Sequence, residues 1–299
     1  MAQSDGDLTD ALGRAVDRIE ATGNRDAVKS GRTVPTGFRG LDALAAITCP
    51  SVTLVFGAPG VGTSTFALNV AMSSARAGIP ALLVSWESPE DEVMARLIAA
   101  QARVHTQKIR TGQMDEDSWQ KMAGVVQLLA DLPFQIVPGP RTFNRLEAVI
   151  REWFTDRDRA QGGVVILDGA PNLARLASSS EQAAWDEHSR LSANIRYLAY
   201  ELGVAVVVTT PVVREALRRV AVRPLLPDVA YSPAYVHDAD VVLGLFREDQ
   251  WERESPRAGE ADVIMLKSKH SPTDTVTLAF QGHYSRFVDM RIEDKVSAR

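Results

Sequence analysis

A glycine-rich segment early in the chain has the residue types of a phosphate-binding loop. In GAPGVGTST, residues 57–65, Gly57 and Gly62 fit the pattern G-x-x-x-x-G-K-[ST], and Ser64 stands at its hydroxyl position. Thr63 stands where that pattern has lysine. Backbone N–H groups in such a loop and the start of the following helix can bind a phosphate, and the serine can bind Mg²⁺. The segment therefore predicts a phosphate site that lacks one cation. The alternative is a glycine-rich turn that binds nothing. The predicted nucleotide-binding residues are Gly57, Ala58, Pro59, Gly60, Val61, Gly62, Thr63, Ser64 and Thr65.

Two carboxylates further along the chain fit the same chemistry. The run GVVILD ends at Asp168, as a Walker B strand ends at the aspartate that reaches Mg²⁺. Glu87 follows the apolar run PALLVSW, and a carboxylate at a strand end can polarise an attacking water. Each has a plainer interpretation, because many buried strands end in aspartate and Glu87 precedes an acidic helix start.

These residues require a scaffold of alternating strands and helices, and the sequence predicts one. Buried strands are indicated by the apolar runs SVTLVF, PALLVSWE, PFQIV, GVVILD and VAVVVTT, with helical segments between them. Such alternation predicts a mainly parallel sheet with helices on both faces. The closely spaced runs ADVVLGLF, DVIMLKS and TVTLAF predict antiparallel strands added at the C-terminal edge. The predicted fold class is therefore α/β.

The chain begins with a separate amphipathic segment. In residues 7–24 the apolar side chains of Leu8, Leu12, Val16 and Ile19 recur at helical spacing. A polar linker follows. The apolar stripe must pack against its own domain or against a neighbouring subunit, and the pattern alone leaves both open.

The net charge and the lack of a long apolar run limit the kinds of partner that the chain can have. The chain has 299 residues and a net charge of -5, so a nucleic-acid contact would need a local basic patch. One such patch is predicted around Arg214, Arg218, Arg219 and Arg223, which could hold a nucleic-acid backbone or form a solvated helix face. The acidic, polar first residues and the lack of a long apolar run lead us to expect a cytoplasmic protein with no membrane segment.

The ordered series of motifs resembles the motor domain of DnaB-type replicative helicases, which has the RecA fold. The resemblance is carried by TGFRGLDAL, the glycine loop with TFALNVA, SWESPEDEVMARL, VVILD, DADVVLGLFRED and KSKHSPTDTVTLAFQGHYSRF. It extends from Pro35 to Phe287, so we divide the chain into a linker helix and linker, residues 1–34, and a RecA-like domain, residues 35–299.

The resemblance implies partners and ligands. It implies ATP or ADP with Mg²⁺, single-stranded DNA, and protein partners. It also implies a homo-oligomeric ring, a hexamer in the family, held through residues 7–24. The family's N-terminal primase-interacting domain has no counterpart in these residues.

The resemblance also implies catalytic roles. Glu87 is the expected general base, while Ser64 and Asp168 are the expected Mg²⁺ ligands. Lys267 matches the lysine that reaches a neighbour's γ-phosphate, and Lys269 stands in place of the arginine finger.

Several positions depart from the family at functional points. Thr63 removes the loop ammonium, and Lys269 loses the bidentate fork of arginine. Pro211 replaces the glutamine that senses γ-phosphate and couples it to the DNA loops. In the DNA-contact loop, the family's arginine, acid and glycine are replaced by Ala230, Tyr231 and Pro233.

Three functions fit these features. The first is a non-catalytic assembly or regulatory protein that binds nucleotide or DNA with little turnover, favoured by the departures. The second is an active ATP-dependent DNA helicase or translocase. The third is another RecA-fold ATPase, of the clock or recombination kind, although the stretch GHYSRF favours the helicase branch.

Overall fold

The structure is a computed structural model that describes residues 33–155, 157, 162–178, 180–219, 223–269 and 271–290, together with Leu8, Leu12, Gly13 and Val16. Most of the helix predicted over residues 7–24, and the linker after it, lie outside the described residues. Leu8, Leu12 and Val16 are helical, and their side chains are exposed.

A single sheet of nine strands forms the centre of the described part of the chain. Its order is β3-β2-β4-β5-β1-β6-β7-β8-β9. The strands are β1 Ser51–Gly57, β2 Ala81–Ser85, β3 Phe134–Pro138, β4 Val164–Asp168, β5 Ala205–Pro211, β6 Val241–Phe246, β7 Glu260–Ser268, β8 Thr275–Gln281 and β9 Arg286–Asp289.

Helices connect the strands and cover the sheet. They are α1 Arg39–Ala43, α2 Thr63–Arg76, α3 Glu90–Ala102, α4 Thr106–Thr111, α5 Glu116–Ala130, α6 Phe143–Thr155, α7 Pro171–Ala177, α8 Glu181–Leu202 and α9 Ala234–Asp238. Short 3₁₀ turns lie at Ala216–Arg218, Leu226–Asp228, Glu248–Gln250 and Gly282–Tyr284. Within the described residues, no helix combines the length and apolar character that crossing a bilayer requires.

The predicted mixed sheet is confirmed, with one correction at its edge. Strands β1 to β6 pair in parallel, and β7, β8 and β9 add antiparallel. Strand β6 pairs in parallel with β1, although its short spacing from β7 had suggested an antiparallel addition. The strand β9 was not predicted, because its four residues are too few to show alternation.

Burial on both faces explains why the central strands are unbroken apolar runs. Every residue of β1 is buried. Its alternate side chains enter two different cores: Val55 packs with Phe66 of α2, while Leu54 and Phe56 pack with the side of the sheet covered by α6 and α8. A strand with this double burial fixes the position of the glycine loop that follows it.

Candidate functional site

The glycine loop joins β1 to α2 in a conformation that its glycines make possible. Gly60 and Gly62 have φ angles of +81° and +109°, which side-chain-bearing residues rarely adopt. A Cβ on Gly62 would lie 2.9 Å from the Phe287 ring, and one on Gly57 would lie 2.6 Å from the Val61 side chain. The loop is therefore shaped by close packing on its outer side, and its inner side faces a cavity.

A second segment braces the tip of this loop. Gln250 Nε2 donates to the Pro59 carbonyl at 3.3 Å, and Arg247 Nη1 donates to the Gly60 carbonyl at 3.4 Å. Arg247 is itself paired with Asp249 at 3.0 Å and stacks 3.9 Å above the Phe280 ring. These contacts bond the carbonyls of Pro59 and Gly60 to two residues that do not line the cavity.

Asp168 ends β4 at the centre of a hydroxyl network. Its Oδ1 accepts hydrogen bonds from Ser64 Oγ and Thr209 Oγ1, each at 2.8 Å. Ser85 Oγ lies 3.5 Å from Oδ2. Burial raises the pKa of Asp168, and the hydroxyl donors oppose that rise. The structure therefore places the two predicted Mg²⁺ ligands, Ser64 and Asp168, in direct contact.

Glu87 lies beside this network and is held by an amide. Asn172 Nδ2 donates to Glu87 Oε1 at 2.9 Å, and Arg175 Nη1 donates to Asn172 Oδ1 at 3.3 Å. Gly169 permits this arrangement, because its φ is +77° and a Cβ there would lie 2.6 Å from the Glu87 side chain. The exposed carboxylate of Glu87 is thus fixed at the cavity without direct pairing to the arginine.

These groups surround one cavity of about 460 Å³, within the range of nucleotide-sized sites. The described residues that line it are Gly57, Ala58, Pro59, Gly60, Thr63, Ser64, Glu87, Gly169, Asn172, Arg175, Thr209, Thr210, Pro211 and Tyr231. Thr210 Oγ1 is buried at this site and has no hydrogen-bond partner among the described residues. A buried hydroxyl of this kind is normally satisfied by a ligand or water, so the cavity fits a polar ligand such as a nucleotide with Mg²⁺.

The two predicted lysines lie elsewhere. Lys267 Nζ donates to the carbonyls of Val236, His237 and Ala239 at 2.8, 3.0 and 2.6 Å, at the end of α9. Burial lowers the pKa of Lys267. Lys269 Nζ lies 3.6 Å from Asp240 Oδ1. Neither lysine lines the cavity of its own chain. Their contact with a neighbour's nucleotide stays a prediction.

The predicted patch of four arginines is divided in the structure. Arg214 and Arg218 are exposed. Arg219 is paired with the buried Asp228, and Arg223 lies 3.2 Å from the buried carboxylate of Asp262. Arg214, Arg218 and Arg223 are thus exposed and Arg219 is half-buried. The contact of these four arginines with a nucleic acid stays a prediction.

The loop that contacts DNA in the resembling family packs against this chain's own helices. Ala230 and Ser232 are buried. Tyr231 lines the cavity and stacks on His188 of α8, with ring centroids 4.8 Å apart. Burial, and then the charge of Arg175, lowers the pKa of His188 to about 4.

Sequence reasoning missed Asn172, Arg175 and Thr209 as members of the site. Thr209 carried a usable signal, because it ends a buried strand where ligands bind in open α/β sheets. Asn172 and Arg175 lie on the short helix α7, and no motif in the sequence indicated their proximity to the glycine loop.

Comparisons with known proteins agree with the described fold. The family model of the DnaB-like helicase C terminal domain matches residues 33–289. The replicative DNA helicase DnaB of Leifsonia xyli subsp. xyli is 36% identical over 288 residues, which cover 95% of this chain and 61% of that protein. The chain thus spans about three fifths of the length of this curated relative.

Two solved structures extend the comparison. The ATPase domain of G40P superposes with a TM-score of 0.84 and 26% identity, covering 96% of this chain and 100% of that one. A DnaB-like replicative helicase, solved to study its interactions with primase, superposes with a TM-score of 0.81 and 25% identity, covering 97% of this chain and 68% of that one. The described fold is therefore RecA-like, and the chain belongs to the DnaB-like helicase C-terminal domain family.

Proposed function

We propose that this chain binds ATP or ADP with Mg²⁺ in the cavity beside the glycine loop and turns ATP over slowly or not at all. It acts as an assembly or regulatory component of an oligomer. The observation that carries this proposal is Thr63 at the lysine position of a site that is otherwise assembled.

The residues around the cavity fit a magnesium nucleotide. Backbone N–H groups of residues 57–65 and the start of α2 can bind phosphate oxygens without a lysine. Ser64 and Asp168 would hold Mg²⁺, which neutralises charge on the phosphates when bound. Glu87, oriented by Asn172, is placed to accept a proton from a water.

The expected weakness lies in stabilising charge during phosphoryl transfer. An arginine finger contributes about 10³- to 10⁵-fold in related enzymes. Lys269 offers a compact charge without the bidentate fork. Thr63 supplies no charge at all, and Pro211 has no side-chain donor. Since these defects act on the same developing charge, we expect turnover too slow to drive unwinding.

Assembly is proposed from the family and from the exposed apolar side chains near the N-terminus. Leu8, Leu12 and Val16 present an apolar stripe on a helix, and such a stripe is stabilised by burial. We propose that residues 1–34 dock on a second copy in a ring, and that residues 35–299 form the RecA-like domain. The proposed contacts for single-stranded DNA are Arg214, Arg218, Arg219 and Arg223, and a primase is a candidate protein partner because a solved relative was studied with one.

The test combines a nucleotide titration with steady-state ATP hydrolysis, each with and without single-stranded DNA. We expect saturable, Mg²⁺-dependent binding and hydrolysis that DNA does not stimulate. Robust DNA-stimulated hydrolysis that Glu87→Ala abolishes would reject the proposal.

The second candidate is an active ATP-dependent DNA helicase or translocase. The intact contact between Ser64 and Asp168, together with the oriented Glu87, favours it. The same hydrolysis measurement decides between the two candidates.

A further inference from the structure

One cation of this chain faces the cavity at which the loop lysine is missing. Among the described residues along the cavity wall, Arg175 alone has a positively charged side chain. It lies in the last turn of α7, which follows β4 directly. We infer that Arg175 binds the terminal phosphate of ATP and supplies, from α7, the positive charge that Thr63 no longer supplies from the glycine loop. This inference rests on the proposed nucleotide binding.

The hydrogen bonds of Arg175 leave its charge available. Its Nη1 donates to the amide oxygen of Asn172 at 3.3 Å, and Asn172 in turn donates to Glu87 at 2.9 Å. The neutral amide therefore separates the guanidinium from the carboxylate. A guanidinium has five N–H donors, so one bond to Asn172 leaves most of them free for phosphate oxygens. No ion pair joins Arg175 to a carboxylate of the described residues.

The cations beside the loop tip and at the end of α9 are already engaged. Arg247 contacts the outer face of the loop tip, but it is paired with Asp249 and stacked on Phe280. Lys267 is bound by three carbonyls at the end of α9, and Lys269 lies beside Asp240. A phosphate in the cavity would therefore meet Arg175 before any of these groups.

The position of Arg175 indicates which phosphate it meets. The glycine loop forms one wall of the cavity. Another wall is formed by Asn172 and Arg175 of α7 together with Glu87, which follows β2. A carboxylate that activates water for phosphoryl transfer must lie near the terminal phosphate, because that phosphorus is the one attacked. Since Arg175 is linked to Glu87 through a single amide, it belongs to the terminal-phosphate end. It should therefore discriminate ATP from ADP.

The test is calorimetric titration of the full chain with Mg-ATP and, separately, with Mg-ADP. Arg175→Ala should weaken Mg-ATP binding about tenfold or more, as expected for loss of a charge-assisted hydrogen bond, and change Mg-ADP binding by about twofold or less. Arg175→Lys should retain part of the preference for ATP. Arg145→Ala removes an exposed arginine of α6 that does not line this cavity, and should leave both affinities unchanged.

A double variant tests whether the two positions share one role. Adding Thr63→Lys to Arg175→Ala should restore Mg-ATP affinity to within about threefold of wild type, because the lysine returns the charge to the loop. A purely structural role for Arg175 predicts no such rescue.

Two results would overturn the inference. One is wild-type affinity for Mg-ATP in Arg175→Ala, and the other is an equal loss for ATP and ADP that Thr63→Lys does not repair. In both, binding by the wild-type chain would leave the proposed function standing. A wild-type chain that binds neither nucleotide would overturn both.

Discussion

Two regions meet at the carboxyl end of β5, and their polar side chains are used differently. The first, which we call the nucleotide wall, comprises residues 57–65 and Asp168. At the edge of an open cavity, Asp168 of this region accepts hydrogen bonds from Ser64 and from the neighbouring Thr209 of β5, each at 2.8 Å. These groups remain arranged around a space that a ligand can enter.

The second region, the coupling segment, comprises residues 211–233, of which the structure describes 211–219 and 223–233. Several of its groups bond within the domain, whereas Arg214, Arg218 and Arg223 are exposed. Arg219 binds Asp228, the Ala230 N–H donates to the Pro211 carbonyl at 3.2 Å, and Tyr231 stacks on His188. The resemblance assigns to this segment the link between the γ-phosphate and DNA, and the three contacts just named lie within the domain.

Under the proposed function, this contrast makes nucleotide binding and its coupling to DNA physically separable in this chain. The nucleotide wall has its glycine-dependent loop conformation and its buried carboxylate with threonine at residue 63. In the coupling segment, Pro211 and Tyr231 stand at positions to which the resemblance assigns the coupling, and here Pro211 accepts from the Ala230 N–H and Tyr231 stacks on His188.

The largest expected effect is on stability, in the coupling segment. Arg219→Ala removes the partner of Asp228, which is only 5% exposed, and should lower the free energy of unfolding by about 3 kcal/mol because an unpaired buried charge remains. Denaturant unfolding measures it. Arg218→Ala is the matched control, since Arg218 is exposed, and should change stability by about 0.5 kcal/mol or less. A change in the free energy of unfolding for Arg219→Ala as small as that for Arg218→Ala would show that Arg219 has no structural role.

The next effect concerns the nucleotide wall. Asp168→Asn keeps the shape of the side chain but removes the charge that holds Mg²⁺, so Mg²⁺-dependent nucleotide affinity should fall about 100-fold. Nucleotide titrations in Mg²⁺ and in a chelator separate the metal-dependent part of the affinity from the metal-independent part. The affinity measured in the chelator serves as the internal control. Unchanged affinity in the presence of Mg²⁺ would contradict the assignment of Asp168.

Acidification should destabilise the contact between the coupling segment and α8. The pKa of His188 is lowered to about 4 by burial, so the unfolded chain binds more protons than the folded chain between pH 4 and 6.5. Neutral His188 makes its full contribution to the free energy of unfolding above pH 6.5, and this contribution is lost as the pH falls toward 4. At pH 5 the free energy of unfolding should be about 2 kcal/mol lower than above pH 6.5, as far as it depends on His188.

The control for this pH dependence is His188→Gln, which cannot titrate in this range. The free energy of unfolding of the variant should depend less on pH between 5 and 6.5 than that of the wild type. Parallel pH profiles for the two proteins would contradict the burial of a neutral imidazole.

The smallest expected effect comes from restoring the loop lysine. Thr63→Lys should raise Mg-ATP affinity about tenfold, or about 1.4 kcal/mol, while hydrolysis stays slow because Pro211 and Lys269 are unchanged. Thr63→Met provides a side chain of similar length without charge and should not raise affinity. A large gain in hydrolysis in Thr63→Lys would show that the remaining machinery is intact and that the loss lies at one residue.

Local patterns in the sequence were sufficient to predict the strands and helices of the scaffold, and the part of the site formed by the glycine loop and Asp168. The apolar run SVTLVF and the run ending in Asp168 correspond to β1 and β4, and the glycine spacing placed the loop between β1 and α2. Parallel strands align their carboxyl ends, so the meeting of Ser64 and Asp168 followed from topology.

The remaining features depend on contacts between residues distant in sequence. No local pattern distinguishes an arginine that pairs with a buried carboxylate, such as Arg219, from an exposed one, such as Arg218. Arg175 reaches the cavity because β4 lies two strands from β1 in the sheet, an order that strand propensity does not encode. Lys267 likewise contacts the end of α9 only because β7 pairs with β6.

The most direct test of the account is single-turnover hydrolysis, with the chain in excess over labelled ATP, with and without a single-stranded oligonucleotide. Excess protein ensures that the measured rate reports the chemical step rather than product release. We expect ATP to be bound and its slow cleavage to be unaffected by the oligonucleotide. Cleavage at about 1 s⁻¹ or faster that the oligonucleotide accelerates and Glu87→Ala abolishes would contradict it.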